Sequence, residues 1–525
     1  MASPFCRSCL SKLRNSSVSH TPSTSIPRIA AAPFHSTSSV YALPTKKSRS
    51  QDSGPKFREA RSARIKRKAS NIKQWETPAE RKAQAHRLVL SNPNALNVPL
   101  TDFSLNTMTD TKLHGQTLGI PMNLIENLRA LRAFKVKQGW NMFRRPGTLM
   151  RTETFELANL MTEIKEKQAV EATAKVVTGD RAVGKSVYLL QAMTIGLLDK
   201  WVVISIPDAG ELVNGTTAYS PLPGSQPTQY VQKTASAQLL ERIAKANEAV
   251  LSKLHVSSEH PQLKKLFNPK MSLAELATIG SQQPEMAWPV FQALWSELTA
   301  TSPTGNADSF TPFKPRPPML VTIDGIAHWM HNTTYKNPDF KPIHAYDLVF
   351  VKHFLSLTSS PASSMPNGGL VLCATSTSNN PSVLTFKAGL NHLSTTRSHN
   401  NINPNELALE IYGKSDPRVI SFFEEAKGLR RLNLGGLSKY ETKCLLEYLA
   451  RSGIMRKQVT PELVSEKWGL SGGGVIGELE RLGKRILCLP RHSQLGIDGI
   501  LEAKPYFPIR EPKLASPEDY GYSAH

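Results

Sequence analysis

Long hydrophobic runs are missing from this sequence of 525 residues, since nowhere do about 18 apolar residues follow one another, the minimum for a transmembrane helix. The sequence therefore predicts no membrane partner.

Cysteine is also scarce, with five residues. Cys6 and Cys9 form a C-x-x-C pair, but no second pair or histidine cluster follows at zinc spacing, so we assign no metal there. Cys373, Cys444 and Cys488 are isolated, which favours buried free thiols in a reducing compartment.

Acidic residues are absent from the first 51 positions of the chain. Residues 1–43 contain four basic residues and abundant serine and threonine, but no hydrophobic core of a secretory signal. This composition is typical of a mitochondrial transit peptide, and we expect cleavage between residues 33 and 45. A serine-rich tail without a targeting role is the alternative.

Positive charge is concentrated near the amino terminus. Residues 1–90 hold 18 basic and 4 acidic residues, a net charge of +14 out of +22 for the chain. The extension 44–120 contains a cluster dense enough to neutralise phosphates, so we predict that it contacts RNA through the backbone. A solvated linker or a nuclear-localisation-like run is the alternative. The predicted RNA-binding residues are Lys56, Arg58, Arg61, Arg64, Lys66, Arg67 and Lys68.

A glycine-rich motif between apolar flanks is the most informative feature. Residues 179–186 fit G-x-x-x-x-G-K-[ST], with apolar residues before the motif and a longer apolar stretch after it. The order strand, glycine loop, helix lets backbone N–H groups and a lysine bind phosphate, so the motif predicts a nucleotide pocket. A chance match in a turn is the alternative. The predicted cofactor-binding residues are Gly179, Asp180, Arg181, Ala182, Val183, Gly184, Lys185 and Ser186.

A second element lies about 140 residues further on, where the apolar run 319–323 ends in Asp324. Such a run is typical of a strand buried on both faces of a parallel sheet. An aspartate at its carboxyl end is placed to hold Mg²⁺ together with Ser186, so these two residues are the predicted metal ligands. The alternative is a core strand whose Asp324 only begins a turn with Gly325.

The glutamate that many related ATPases place after the metal aspartate is absent, because Gly325 occupies that position. Glycine can neither orient nor deprotonate water, so we expect slow hydrolysis or none and assign no catalytic residue. Asp208 could substitute as a base, but an aspartate after a strand more often caps a turn. Thr375 or Ser376 could sense a γ-phosphate, although an ordinary strand-end hydroxyl is an equal alternative.

Strands that alternate with helices predict an α/β fold with a parallel sheet flanked by helices, a P-loop NTPase of AAA+-like type over residues 121–435. Within it, helical spacing of apolar residues predicts helices over 123–134, 238–254 and 287–298. The core residues expected in the last two are Leu239, Ile243, Leu251, Phe291 and Leu294. Residues 436–525 read as a C-terminal helical lid and tail. Its first helix, 438–451, begins with a capping box at Ser438 and Glu441. Further helices are predicted over 460–468 and 474–486, and the glycines before the last one indicate a helix-entry turn rather than a second phosphate loop.

Several segments together carry a family resemblance. They are the loop 179–186, Ile206-Pro207-Asp208-Ala209, residues 230–254 with Asn247, residues 288–298, and residues 321–325 with Asp-Gly in place of Asp-Glu. On these segments, residues 120–490 resemble the death-associated protein three family of mitochondrial small-subunit ribosomal proteins, the fungal branch in particular.

The resemblance implies a matrix protein in the head of the mitochondrial small ribosomal subunit, near the large subunit, with GTP or GDP and Mg²⁺ bound. Its partners would be small-subunit rRNA, neighbouring ribosomal proteins and, through an intersubunit contact, the large subunit. The guanine-specific N-K-x-D motif is absent, so ATP stays an alternative. We therefore expect a structural ribosomal protein with nucleotide as an assembly cofactor. The rivals are an active mitochondrial AAA+ or signalling ATPase and a DNA-handling motor.

Overall fold

The computed structural model describes residues 87–166, 172–258, 260–263, 270–302, 313–376, 381, 383–395, 415–426 and 428–484. The predicted transit peptide, the seven basic residues of the RNA-binding prediction, the C-x-x-C pair and Cys488 lie outside these residues. Cys373 and Cys444 are free thiols, as expected, and burial raises the pKa of Cys373 to about 12. None of the described helices is long and apolar enough to cross a bilayer.

The regular elements of the described residues are as follows. The strands are β1 (Thr117–Gly119), β2 (Gly147–Leu149), β3 (Ala172–Thr178), β4 (Val202–Ile206), β5 (Ser220–Pro221), β6 (Tyr230–Val231), β7 (Met319–Asp324), β8 (Asn332–Lys336), β9 (Pro342–His344), β10 (Gly369–Ala374) and β11 (Leu429–Asn433). The α-helices are α1 (Ile125–Ala130), α2 (Thr152–Glu166), α3 (Lys185–Leu198), α4 (Lys233–Ala246), α5 (Glu248–Leu251), α6 (Leu273–Gln282), α7 (Ala287–Thr299), α8 (Val349–Ser359), α9 (Pro361–Ser364), α10 (Leu384–Thr395), α11 (Pro417–Glu425), α12 (Lys439–Arg451), α13 (Pro461–Leu470) and α14 (Ile476–Lys484).

Five parallel strands form the central sheet, in the order β11-β3-β10-β7-β4. The middle strand β10 pairs with both neighbours, so that its Gly369 lies opposite Ala172 of β3 and Met319 of β7. All residues of β4 and β10 are buried, which is the pattern of strands covered on both faces. The α/β prediction with a parallel sheet is thus confirmed.

Successive side chains of these strands point to opposite faces and enter two separate cores. Val202 and Ile204 of β4 belong to the core beneath α4, α6, α7 and α8, whereas Val203 between them belongs to the core beneath α1, α2 and α3. The helical core residues expected from the sequence are all buried in the first core, namely Leu239, Ile243, Leu251, Phe291 and Leu294. The sheet is therefore covered by helices on both faces.

The C-terminal helices agree closely with the prediction. Ser438 caps α12 through a complete capping box, in which its hydroxyl accepts the Glu441 amide at 3.2 Å and its own amide donates to the Glu441 carboxylate at 2.8 Å. The helices predicted over 460–468 and 474–486 correspond to α13 and α14. Local capping chemistry was sufficient to place these elements.

Two helices differ from the prediction. The helix expected over 123–134 ends at Ala130, because Arg132 adopts a left-handed backbone conformation with φ of 53° that a helix cannot continue. The helix expected over 238–254 is divided into α4 and α5 at Asn247. The buried Asn247 amide bonds to both the N–H and the carbonyl of Val203 in β4, at 2.7 and 2.8 Å, which ties this break to the sheet.

Candidate functional site

The glycine loop 179–184 connects β3 to α3 at the carboxyl edge of the sheet, as predicted. Gly179 and Gly184 have φ of 142° and 104°, values that favour glycine. A Cβ atom at Gly179 would lie 2.2 Å from the carbonyl oxygen of Leu434, which follows β11. The glycine at this position is therefore required both by the backbone conformation and by the close approach of the neighbouring strand.

The amino terminus of α3 suits an anion. Gly184 is its N-cap and has no side chain with which to cap the helix. The first N–H groups of a helix, together with its dipole, attract phosphate when side chains leave them accessible. The local geometry therefore fits the phosphate site that the motif predicts.

Lys185, the first residue of α3, is folded back over the loop. The residue is 8% exposed, and Nζ donates to the carbonyl oxygens of Gly179 and Asp180 at 2.8 and 2.7 Å. Burial lowers the pKa of Lys185, and the nearby carboxylates of Asp324 and Asp180 oppose this shift. The ammonium group is held within the loop, where it can neutralise a bound phosphate.

The two predicted metal ligands are brought together by the sheet. The Ser186 hydroxyl donates to Asp324 Oδ2 at 2.8 Å. Ser186 lies in α3, which follows β3, and β10 separates β3 from the Asp324 strand β7 in the sheet. Both offer the oxygen ligands that Mg²⁺ prefers. The described residues contain no cluster of three or more His, Cys, Asp or Glu that could hold a metal alone. The pair therefore fits a Mg²⁺ that takes its other ligands from phosphate and water.

A lysine that sequence reasoning missed also reaches this pair. Lys135 Nζ lies 3.2 Å from Asp324 Oδ2 and donates a hydrogen bond to the carbonyl of Pro207, just after β4. The residue belongs to the segment between α1 and β2, 44 positions before the motif. No spacing rule links it to the glycine loop, so only the folded chain reveals it.

The alternative base and sensor residues have ordinary structural roles. Asp208 Oδ1 accepts the amide of Gly210 at 2.8 Å and caps the short helix Ala209–Leu212, the role that we considered more common for it. The Thr375 hydroxyl is buried and donates to the Val177 carbonyl at 3.3 Å, which favours the strand-end alternative. Both residues thus have the structural roles that the alternatives described.

Gly325 has a structural reason to be glycine. Its φ is 85°, and a Cβ atom there would lie 3.2 Å from Cδ2 of His328. We therefore expect Gly325→Glu to lower the free energy of unfolding by about 1–2 kcal/mol, the cost of a left-handed conformation for an L residue. We also expect no gain in nucleotide hydrolysis, because the strained backbone would not present the carboxylate to water.

Thermal melting and phosphate release measure the two effects of Gly325→Glu. Gly469→Glu is a matched control, because Gly469 of α13 has no positive φ and a Cβ atom there would meet no neighbouring atom within 4 Å. A Gly325→Glu protein that is as stable as the wild type and turns over nucleotide would contradict the structural explanation for the missing glutamate.

The C-terminal helices contact the glycine loop directly. The amide of Gly477 in α14 donates to the Ala182 carbonyl at 3.0 Å, and the buried Arg151 donates to the carbonyls of Val183 and Gly435 at 3.2 and 3.0 Å. The glycines of residues 472–474 all have positive φ and form the turn between α13 and α14, as the helix-entry prediction required. The loop is thus held from outside the sheet as well as by β3 and α3.

Comparison with known proteins adds independent information. The family model described as mitochondrial ribosomal death-associated protein 3 matches residues 148–482, which include the glycine loop, Asp324 and most of the C-terminal helices. The chain is also 38% identical over 410 residues to the small ribosomal subunit protein mS29 of Neurospora crassa. This alignment covers 77% of the chain and 82% of the relative.

Proposed function

The chain belongs to the mitochondrial ribosomal death-associated protein 3 family, and on that premise we propose that it is a structural protein of the mitochondrial small ribosomal subunit in the matrix. The similarity to mS29 over most of both chains supports this proposal. In the subunit it contacts rRNA and neighbouring ribosomal proteins, and its place in the head brings it near the large subunit. The basic residues 56–68 are the part of the chain best suited to the RNA backbone.

The finer part of the proposal is that a purine nucleotide binds the glycine loop together with Mg²⁺. The main support for this nucleotide and Mg²⁺ site is the hydrogen bond between Ser186 and Asp324, because two residues 138 positions apart meet where the motif requires them. Residues 179–186 surround the phosphates, Lys185 neutralises them, and Ser186 and Asp324 hold the metal, which would spread the phosphate charge. Either GTP or GDP is the expected nucleotide, with ATP as the alternative.

We propose that the nucleotide acts as an assembly cofactor with little or no hydrolysis. Gly325 occupies the position of the usual catalytic glutamate, and the Asp208 side chain caps the short helix Ala209–Leu212. A ligand that binds only the folded state stabilises it by mass action, by about 4 kcal/mol at a thousandfold excess over Kd. The loop contacts Leu434 after β11, Gly477 of α14 and Arg151, so a nucleotide held there would stabilise several parts of the fold together.

Sedimentation tests the ribosomal role. We expect the chain to migrate with the small subunit when a mitochondrial lysate is separated on a sucrose gradient and fractions are analysed by mass spectrometry. The association should survive a high-salt wash, because a ribosomal constituent is buried among RNA and protein whereas a loosely bound basic protein is released by screening. A soluble peak with nucleotide turnover would favour the alternative, an active mitochondrial AAA+ or signalling ATPase.

A further inference from the structure

The contact between Lys135 and Asp324 has no counterpart in the glycine motif. Asp324 Oδ2 accepts the Ser186 hydroxyl at 2.8 Å and also lies 3.2 Å from Lys135 Nζ. The side chain of Asp324 is 15% exposed and that of Lys135 is 31% exposed, so the pair is partly shielded from water. A cation therefore already lies against the carboxylate oxygen that a metal would use.

Lys135 is held in place by its own segment. Its backbone amide donates to Gln138 Oε1 at 2.8 Å, and the indole N–H of Trp140 donates to the same oxygen at 2.8 Å. Trp140 in turn packs edge-on against Phe134, with 5.3 Å between the ring centroids. These contacts fix the backbone on both sides of the lysine and direct its side chain across the carboxyl edge of the sheet.

A second anchor joins the same segment to the end of β4. The guanidinium of Arg132 forms two hydrogen bonds with the Glu211 carboxylate, both at 3.0 Å. Lys135 itself donates to the carbonyl of Pro207 on the same side. The segment after α1 is thus tied to residues that follow β4, and its lysine reaches Asp324 at the end of β7.

The ammonium group of Lys135 has one more N–H donor than these contacts use. A lysine carries three N–H donors, and the Pro207 carbonyl and Asp324 account for two of those of Lys135 in the described part of the chain. An ammonium is also a compact point charge that binds phosphate oxygens well. The Asp324 carboxylate also acts electrostatically on Lys185, so two cations, Lys185 and Lys135, lie near one carboxylate.

We propose that Lys135 is a further residue of the nucleotide site, a fixed cation that holds Asp324 and, when Mg²⁺ is removed, binds a terminal phosphate oxygen in place of the metal, so that nucleotide binding persists. Mg²⁺ and the ammonium compete for the same carboxylate oxygen, and either can supply the positive charge beside the phosphates. The inference rests on the proposed nucleotide site, but it concerns only the metal dependence of binding.

Lys135→Met tests the proposal because it removes the charge and keeps an apolar stem of similar length. The full chain is titrated by calorimetry with GDP and, in parallel, with ADP, each in Mg²⁺ and in EDTA. For the nucleotide that the wild type binds, we expect removal of Mg²⁺ to weaken wild-type affinity by less than about tenfold. The variant should match the wild type in Mg²⁺ and bind at least about tenfold more weakly than it in EDTA.

Two further variants separate this role from general effects of charge or folding. Lys137→Met removes an exposed lysine from the same segment and should behave as the wild type under both conditions. Lys135→Arg retains the charge and should therefore bind nucleotide in EDTA as the wild type does. It keeps the test decisive if Lys135→Met is destabilised in thermal melting. Equal weakening of Lys135→Met in Mg²⁺ and EDTA, or unchanged affinity in EDTA, would overturn the inference. If the wild type bound neither nucleotide, the proposed nucleotide site itself would be wrong. That outcome is distinct from the two outcomes that contradict the role of Lys135 alone.

Discussion

Replacing Lys185 with alanine is expected to weaken nucleotide binding by about a hundredfold or more, because charge-assisted hydrogen bonds to phosphate contribute about 1.5–3 kcal/mol each. The residue is the first of α3, and its Nζ lies within hydrogen-bonding distance of two carbonyls of the glycine loop. Alanine would leave the loop and the helix dipole in place but remove the only lysine of the motif. We also expect reduced incorporation into the small subunit, since the proposed assembly cofactor would be lost.

Affinity by calorimetry and incorporation by sucrose gradient give the two results for Lys185→Ala. Lys352→Ala is a suitable control, because Lys352 is an exposed residue of α8. Thermal melting without nucleotide shows whether the variant is folded. If Lys185→Ala lost the nucleotide and still entered the subunit normally, nucleotide binding would have no role in assembly, although the ribosomal function itself would stand.

Replacing Glu297 with glutamine is expected to lower the free energy of unfolding by about 3–5 kcal/mol, the cost of leaving one partner of a buried ion pair alone. Glu297 near the end of α7 is fully buried, and its carboxylate accepts a hydrogen bond from Arg316 at 2.8 Å. The same carboxylate accepts the amides of Ser257 and Ser258 at 3.0 and 2.7 Å. Glutamine matches the shape but cannot balance the buried guanidinium.

Chemical denaturation at neutral pH measures the effect of Glu297→Gln. Glu285→Gln is the matched control, because Glu285 pairs with Lys233 on the surface, where an ion pair contributes little. A loss below about 1 kcal/mol for Glu297→Gln would show that Arg316 finds another partner or water.

The buried Glu297 carboxylate should also give the wild type a pH-dependent stability. Burial raises the pKa of Glu297, but the hydrogen bonds from His260 and from the Ser257–Ser258 segment together lower it below the ordinary 4.5. A carboxyl group with a lowered folded-state pKa stabilises the fold above its unfolded pKa, and this contribution is lost as the pH falls through the folded pKa. We therefore expect wild-type stability to fall below about pH 4.5 and the Glu297→Gln variant to lack this part of the decrease.

The site couples regions that are far apart in the chain. Lys135 comes from the segment before the sheet, the glycine loop from β3, Asp324 from β7, and Arg151 links the loop to residues after β11. A ligand bound at the loop would therefore stabilise the contacts between these segments.

The glycine loop, the buried strand ending in Asp324 and the capping box at Ser438 could all be identified in the sequence. Each depends on residues within about one turn or one strand, where steric preference and local hydrogen bonding decide the backbone. Gly325 could likewise be recognised as a substitute for the usual glutamate. Its left-handed φ of 85°, which explains the substitution, appeared only in the structure.

Other features depend on how distant segments meet. The strand order, with β10 between the loop strand and the Asp324 strand, follows from packing two helical layers on a twisted sheet, for which the sequence holds no local signal. The early end of α1 and the contact of Lys135 with Asp324 arise in the same way, since a side chain 189 positions away in sequence is found only through the three-dimensional path of the backbone. Local chemistry therefore predicted the proposed phosphate and metal ligands, whereas long-range packing, which joins residues without any fixed spacing, placed Lys135 beside Asp324.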